Sequence, residues 1–383
     1  MWTLRNLLPQ CVLVGVILFG SCLSVVAEDS PQSNKKSGKL SNSTATDRGA
    51  ASPPAENYAK PASPLPVEVK RPIRTDISLA DQARQAAERA IPYIEKEGTA
   101  WITERKCVTC HYVAFMVWSF RDASQRGFAV DKAKLTEWAD WSLNHAVGQG
   151  VEGPAEMLLA RNLTDKSEKT AQQIELLRDA IIKGQDKNGF WKPGGQLPSQ
   201  KRPLTETTQV STMWCALALD SLDQPNGPAM VSRDKALEWL KTTPPNGNDP
   251  AVSSEWYAAR LLIEKKFGDP QQVAALRDKI LAAQQADGGW GWLWADKSDA
   301  FGTGLSLYAL SQAEVPNSQP RIQQAWKFLI ATQTDNGSWT VNGTKTATKD
   351  KPHPFSGFWG TTWALLGLAH SLPDSPVTAA IAP

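Results

Sequence analysis

The order of apolar and polar positions divides residues 78–372 into two alternating kinds of helix. One kind repeats apolar residues at three- and four-residue spacing with charges between them, as a helix with a single buried stripe does. Segments 78–97, 131–147, 168–183, 232–242, 271–283 and 319–332 read this way. The other kind is apolar nearly all round and rich in small residues, as in Cys215-Ala216-Leu217-Ala218-Leu219 and Tyr308-Ala309-Leu310. A helix with no polar face is a buried helix. Segments 111–124, 154–162, 207–222, 253–265, 300–313 and 357–372 belong to it. The unit is an outer helix followed by an inner one. Six such pairs predict an all-α fold, an (α/α)6 toroid with the inner helices parallel around an axis; an open solenoid of the same hairpins is the alternative.

Three of the turns that follow outer helices share one pattern, Gln-x-x-x-Gly-x-Trp. It occurs at Gln185–Gly189–Trp191, Gln284–Gly288–Trp290 and Gln333–Gly337–Trp339. Glycine after Asn or Asp suits a left-handed cap. The glutamine can bond open carbonyls of the last turn or amides of the next helix. The tryptophan packs the turn against the following helix. These are structural roles, and the spacing by itself assigns no catalysis.

The pattern resembles the QW repeat of squalene–hopene cyclases and their relatives, the terpenoid cyclase and protein prenyltransferase superfamily. The third copy, with Phe328-Leu329 ahead of Gln333, fits best. The resemblance implies the toroid, but function lives in sites rather than in folds. The cyclases protonate an alkene with Asp-x-Asp-Asp. This chain has no Asp-Asp pair, and the matching place reads Thr208-Gln209-Val210-Ser211. The prenyltransferases hold zinc through Asp-x-Cys and a distant His. Here the positions read Asp299-Ala300-Phe301 and Gly360, so no zinc is expected. The Cys-Gly-Glu-Gln of complement-like thioester domains is absent as well.

Net charge is +2 and the basic residues are spread, which gives no case for nucleic acid. Tryptophan is the compositional outlier, at 16 residues against 5 Tyr and 10 Phe. Each needs a large apolar site and a partner for its N–H, so the excess implies repeated packing or an aromatic-lined cavity. Residues 1–27 read as an export signal, with an apolar run at 12–20 and small residues before Glu28. Three readings stay open: cleavage after Ala27, lipidation of Cys22 in a loose lipobox, and an uncleaved anchor. All place the folded part outside the cytoplasm, in the periplasm or cell envelope. Residues 28–75 form a Ser-, Pro- and Ala-rich linker, residues 76–373 the toroid and residues 374–383 a tail. As a flexible chain the linker spans roughly 40 Å.

Cys107-Val108-Thr109-Cys110-His111 is the attachment signature of c-type haem, with His111 as the proximal iron ligand. A disulfide or redox pair and two incidental thiols are the competing readings. Distal candidates are Met157, Met213, His145 and His353, and five-coordinate iron is equally open. The inner helices all begin at one mouth of the ring. Residues placed there are Glu152, Glu206, Glu255, Trp256, Trp292, Trp294, Asp296, Asp299, Phe301, His353, Phe355, Phe358 and Trp359. They read either as an aromatic cavity with acids, suited to a hydrophobic or small-molecule ligand, or as helix caps and core. Three functions follow: a ligand- or partner-binding toroid with haem and a redox partner, a cyclase-like enzyme using other acids, and a cofactor-free scaffold. The first is the leading one.

Overall fold

The computed structural model describes residues 73–374 apart from 107, 109–111, 149, 162–166 and 223–225. The signal and residues 28–72 of the linker lie outside the described residues, as do Cys107, Cys110 and His111. The described residues form one compact helical unit. In chain order the helices are α1 (Leu79–Arg105), α2 (Val113–Gln125), α3 (Lys132–His145), α4 (Glu152–Ala160), α5 (Glu168–Lys183) and α6 (Leu204–Asp220). The second half comprises α7 (Pro228–Thr242), α8 (Ser254–Phe267), α9 (Pro270–Ala282), α10 (Ala300–Gln312), α11 (Pro320–Thr332) and α12 (Pro354–Ser371). Among the described residues no strand forms, only isolated bridges between loops. None of these helices is long and apolar enough to cross a membrane.

The even-numbered helices are the inner ring. Each packs on the next, from α2 to α4, α6, α8, α10 and α12, and α12 packs back on α2. That last contact closes an (α/α)6 toroid and excludes the open solenoid. The seam is held on the outer layer too, where α1 packs on α11. Helix α12 shows why an inner helix must be apolar all round: Ser356 to Ala369 are buried without a break.

The three repeated turns share one set of bonds. Each Trp indole N–H donates to a carbonyl ten residues back in the preceding outer helix: Trp191 to Ile181 at 2.7 Å, Trp290 to Ile280 at 2.7 Å and Trp339 to Leu329 at 2.8 Å. That carbonyl belongs to the last turn; those of Ile181 and Ile280 also accept from the backbone N–H of Gly184 and Ala283. Each Trp backbone N–H donates to a threonine on the next inner helix, Thr212, Thr303 or Thr361. All three rings are at most 2% exposed, so they are core. Each glutamine donates to two carbonyls, one in its own turn and one in the next outer helix: Gln185 to Ser232, Gln284 to Arg321 and Gln333 to Ala86. The partners are carbonyls rather than the amides of the next helix. The Gln333 bond joins the last outer helix to the first across the seam. The glycine is not the helix cap; it turns the loop at φ +90° in Gly288, where a Cβ would lie 2.6 Å from the Gln324 carbonyl. Neighbouring outer helices approach too closely there for any side chain.

Candidate functional site

The outer-to-inner connections before α6, α8, α10 and α12 are long and gather at the mouth, while the inner-to-outer ones at the other end are short. The loop before α6 reaches across the mouth to the loop before α12, where Lys201 N–H donates to the Thr344 carbonyl at 2.9 Å. Helices α6 and α12 are not neighbours in the ring, so this contact spans the axis.

The acids at the mouth are engaged. Glu206 is fully buried and accepts from the backbone N–H groups of Val252 at 2.8 Å and Ser253 at 3.0 Å, and from the Ser253 hydroxyl. Glu255 is paired with Arg202, Nη1 to Oε2 at 2.8 Å, and both side chains are buried. The Arg202 guanidinium also lies 5.3 Å from the Trp292 ring, within cation–π reach. Asp296 pairs with Lys201. Glu152 accepts from the Gly194 N–H at 2.8 Å.

Asp299 caps α10, accepting from the N–H of Gly302 at 2.7 Å and of Trp292 at 2.9 Å. Desolvation nevertheless pushes this carboxyl up to about 6 from an ordinary 3.8. Folding therefore favours the protonated acid. The contribution is fully present below pH 3.8 and is lost as pH rises through about 6. Asp299→Asn keeps a capping oxygen and removes the charge. Its melting temperature, measured relative to the natural chain, should rise as pH goes from about 4 through about 6 and level off above that; a difference independent of pH would contradict this assignment.

Below the mouth the axis is filled. Trp118 of α2, Trp214 of α6, Tyr308 of α10 and Trp363 of α12 meet there, with Trp118–Trp214 at 5.9 Å, Trp118–Tyr308 at 6.1 Å and Trp214–Trp363 at 5.9 Å between centroids. Edge-on and tilted contacts of this kind add to what burial alone contributes. What remains is a slot of about 40 Å³ beside the aromatic plug, walled by α2, α4, α6, α8 and α12. Sites for drug-sized ligands run to roughly 300–1,000 Å³. The slot takes about three waters at the volume one water needs.

The sequence-chosen mouth residues separate into distinct places. Glu255 and Trp359 line the slot. Trp292 lies beneath Arg202. Trp294 stacks on Tyr257 at 3.7 Å, and Trp256 meets the same ring edge-on, so these two pack α8 against its loop. His353 stands at the start of α12 and stacks on Phe355 at 5.3 Å; burial and Lys345 push its imidazole below its ordinary value. Phe355 and Phe358 pack with Tyr112 in a separate aromatic cluster. Arg202, Trp118 and Trp214 were not among the chosen residues. A signal for Arg202 existed: buried acids before an inner helix require a cation.

No protein-family model matches the chain. Part of it is 28% identical over 170 residues to a lanosterol synthase of Aspergillus fumigatus, which is 38% of this chain and 22% of that protein. It is also 34% identical over 107 residues to a squalene–hopene cyclase of Zymomonas mobilis, 26% of this chain and 15% of that one. The matched stretches thus span under a quarter of those cyclases. Among solved structures, a family 88 glycosyl hydrolase from Bacteroides vulgatus superposes with a TM-score of 0.52 at 12% identity, over 76% of this chain and 99% of that one. A polysaccharide lyase superposes at 0.51 and 12% identity, over 77% and 98%. At such identity these two share the fold alone. The chain is an α/α toroid, and parts of its sequence are similar to parts of those cyclases.

In this toroid the two positions compared with zinc ligands do meet. A Cβ on Gly360 would lie 3.3 Å from the Phe301 backbone nitrogen and 2.5 Å from Val341. Phe301 is fully buried and packs on Trp359 at 4.2 Å. The place is an apolar contact between α10 and α12, too tight for the imidazole that ligation would need.

Proposed function

We propose that this chain is an exported, tethered toroid that does not cyclise isoprenoids and that carries one c-type haem at Cys107, Cys110 and His111, for electron transfer or redox sensing. The filled axis supports the absence of cyclisation, and the Cys107-Val108-Thr109-Cys110-His111 motif supports the haem. Carbocation cyclisation needs a cavity that holds the whole folded substrate and a strong acid at its end. The axis here holds Trp118, Trp214, Tyr308 and Trp363, and the mouth acids cap helices or pair with cations.

In the sequence the motif lies between α1, which ends at Arg105, and α2, which begins at Val113. The residues that flank it are described. Val108 is fully buried, and Tyr112 stacks on Trp101 at 4.3 Å and on Phe358 at 4.1 Å, with Phe355 edge-on to both Tyr112 and Trp101. This aromatic wall is apolar, as a porphyrin face requires. Arg105 and Lys106 are exposed beside it and supply positive charge for haem carboxylates. His353 stacks on Phe355, which meets Tyr112 edge-on, and this favours His353 among the distal candidates. A haem held there would supply a one-electron couple at the rim, open to a redox partner. Membrane attachment would come only through the N-terminal segment or a lipid on it.

Mass spectrometry of the mature protein, made with a signal peptide and a haem-attachment system, tests the reading. The expected result is a Soret band and about 616 Da of added mass that survives denaturation. It should be lost in His111→Ala. Colourless protein two mass units below the dithiol would establish the disulfide instead, and colourless dithiol protein would leave a scaffold.

A further inference from the structure

Two segments that carry cations meet at the aromatic cluster of Trp101, Tyr112 and Phe355. Helix α1 ends in Arg105, followed by Lys106; both are exposed, and the Arg105 guanidinium lies 5.7 Å from the Trp101 ring centre. Trp101 meets Phe355 at 5.3 Å, and Phe355 stacks on His353 at 5.3 Å. His353 ends the loop 343–353, which carries Lys345, Lys349 and Lys351, and Lys345 acts electrostatically on that imidazole. The loop is folded on itself. Its Gly343 N–H donates to the carbonyls of Thr348 at 3.1 Å and Lys351 at 3.0 Å, and its His353 N–H to the Val341 carbonyl at 3.0 Å. Against the five cations stand two exposed carboxylates, Glu104 and Asp350, which leaves the two segments a formal charge of +3. The whole chain carries only +2, so positive charge is concentrated here. Among the described residues Lys106, Lys345, Lys349 and Lys351 form no ion pair, whereas Lys134, Lys169 and Lys266 each pair with a carboxylate.

Clustered cations repel one another and attract an anionic partner. The classes of anion differ in what else they need. A membrane surface needs apolar side chains to insert. The large apolar residues that are exposed among the described residues, Val147, Leu176, Leu204 and Val231, lie outside both segments. An acidic polysaccharide needs open ring faces for its sugar rings. Here Tyr112 stacks on Trp101 at 4.3 Å and on Phe358 at 4.1 Å, and Arg105 lies over Trp101, so the rings are engaged with their neighbours. An acidic protein segment needs only carboxylates on flexible arms, which mobile lysine ammoniums can meet without a shaped pocket. We propose that the surface made by the end of α1 and the loop 343–353 docks an acidic segment of a partner protein. The docking does not depend on haem; with haem at the neighbouring motif, the docked protein would be its redox partner.

Fluorescence anisotropy of labelled poly-L-glutamate tests it, titrated with the full mature chain made with and without a haem-attachment system. Binding is expected from both preparations at low salt and should weaken steeply as ionic strength rises. Lys349→Glu combined with Lys351→Glu should weaken it by roughly tenfold or more. Lys132→Glu combined with Lys327→Glu makes the same change of net charge on exposed sites of α3 and α11, and should leave binding within about twofold. Lys106→Glu covers the case in which the loop variant fails to melt cooperatively, and it should weaken binding in the same direction. Absence of binding, equal weakening by both pairs of substitutions, or binding that salt does not alter would overturn the proposal. So would tighter binding to polygalacturonate or to phosphatidylglycerol vesicles than to polyglutamate. Salt-sensitive polyglutamate binding by protein without a Soret band would sustain the docking surface while the haem reading failed.

Discussion

Trp290→Ala is expected to destabilise the toroid by about 3–5 kcal/mol, the cost of truncating a large ring in a packed core. Trp290 is fully buried, and its indole N–H is the partner of the Ile280 carbonyl at 2.7 Å. Its backbone N–H reaches Thr303 on the next inner helix at 3.0 Å. The alanine variant keeps the backbone bond, removes one of the two donors to the Ile280 carbonyl and opens a cavity between α9 and α10. Urea unfolding followed by circular dichroism reads the loss as a lower midpoint at unchanged slope. A loss under about 1 kcal/mol would mean that the turn, not the ring, carries the repeat.

The second large effect belongs to Arg202. Arg202→Met should cost about 3–5 kcal/mol, because it strands Glu255 as a buried charge without its partner. Adding Glu255→Gln to that variant should recover most of the loss, since the charge is then gone from both sides. Glu255→Gln alone should be milder, because Arg202 keeps Thr207 and Ser253 at 3.2 Å. Additive losses in the double variant, measured by the same urea unfolding, would show that the two residues act separately.

The alternation of helix types was legible because an outer helix and an inner helix differ in period as well as in hydropathy. Boundaries were less so, and Gly98 shows why. The first outer helix reads as stopping at Glu97, before a glycine; α1 in fact runs on to Arg105. Gly98 is a contact point rather than a terminator, since a Cβ there would lie 2.2 Å from the Met116 sulfur. A glycine needed for close helix approach and one needed to end a helix look alike in sequence. Similarly α7 and α12 begin earlier than their apolar runs, at Pro228 and Pro354, where proline's fixed φ suits a first turn.

The site was legible in part. Glu255 and Trp359 were placed at the mouth because each stands near the start of an inner helix, and both line the slot. The plug was not foreseen, because its four rings come from α2, α6, α10 and α12. No local spacing links such positions; only ring closure brings them to one axis. His370 is also a matter of closure: its Nε2 lies 2.8 Å from a buried Asp122 carboxylate on α2, so it ties the last inner helix to the first.

The seam sets the number of repeats. In an open stack of hairpins a duplicated unit adds length and leaves every other interface as it was. Here α1 must receive α11, and the Ala86 carbonyl must receive Gln333. A seventh hairpin would part those partners and widen the axis until its four rings no longer touched. Evolution of such a chain is thus confined to substitution and to the mouth loops, where insertions can lengthen freely, while the count of hairpins is held by closure itself.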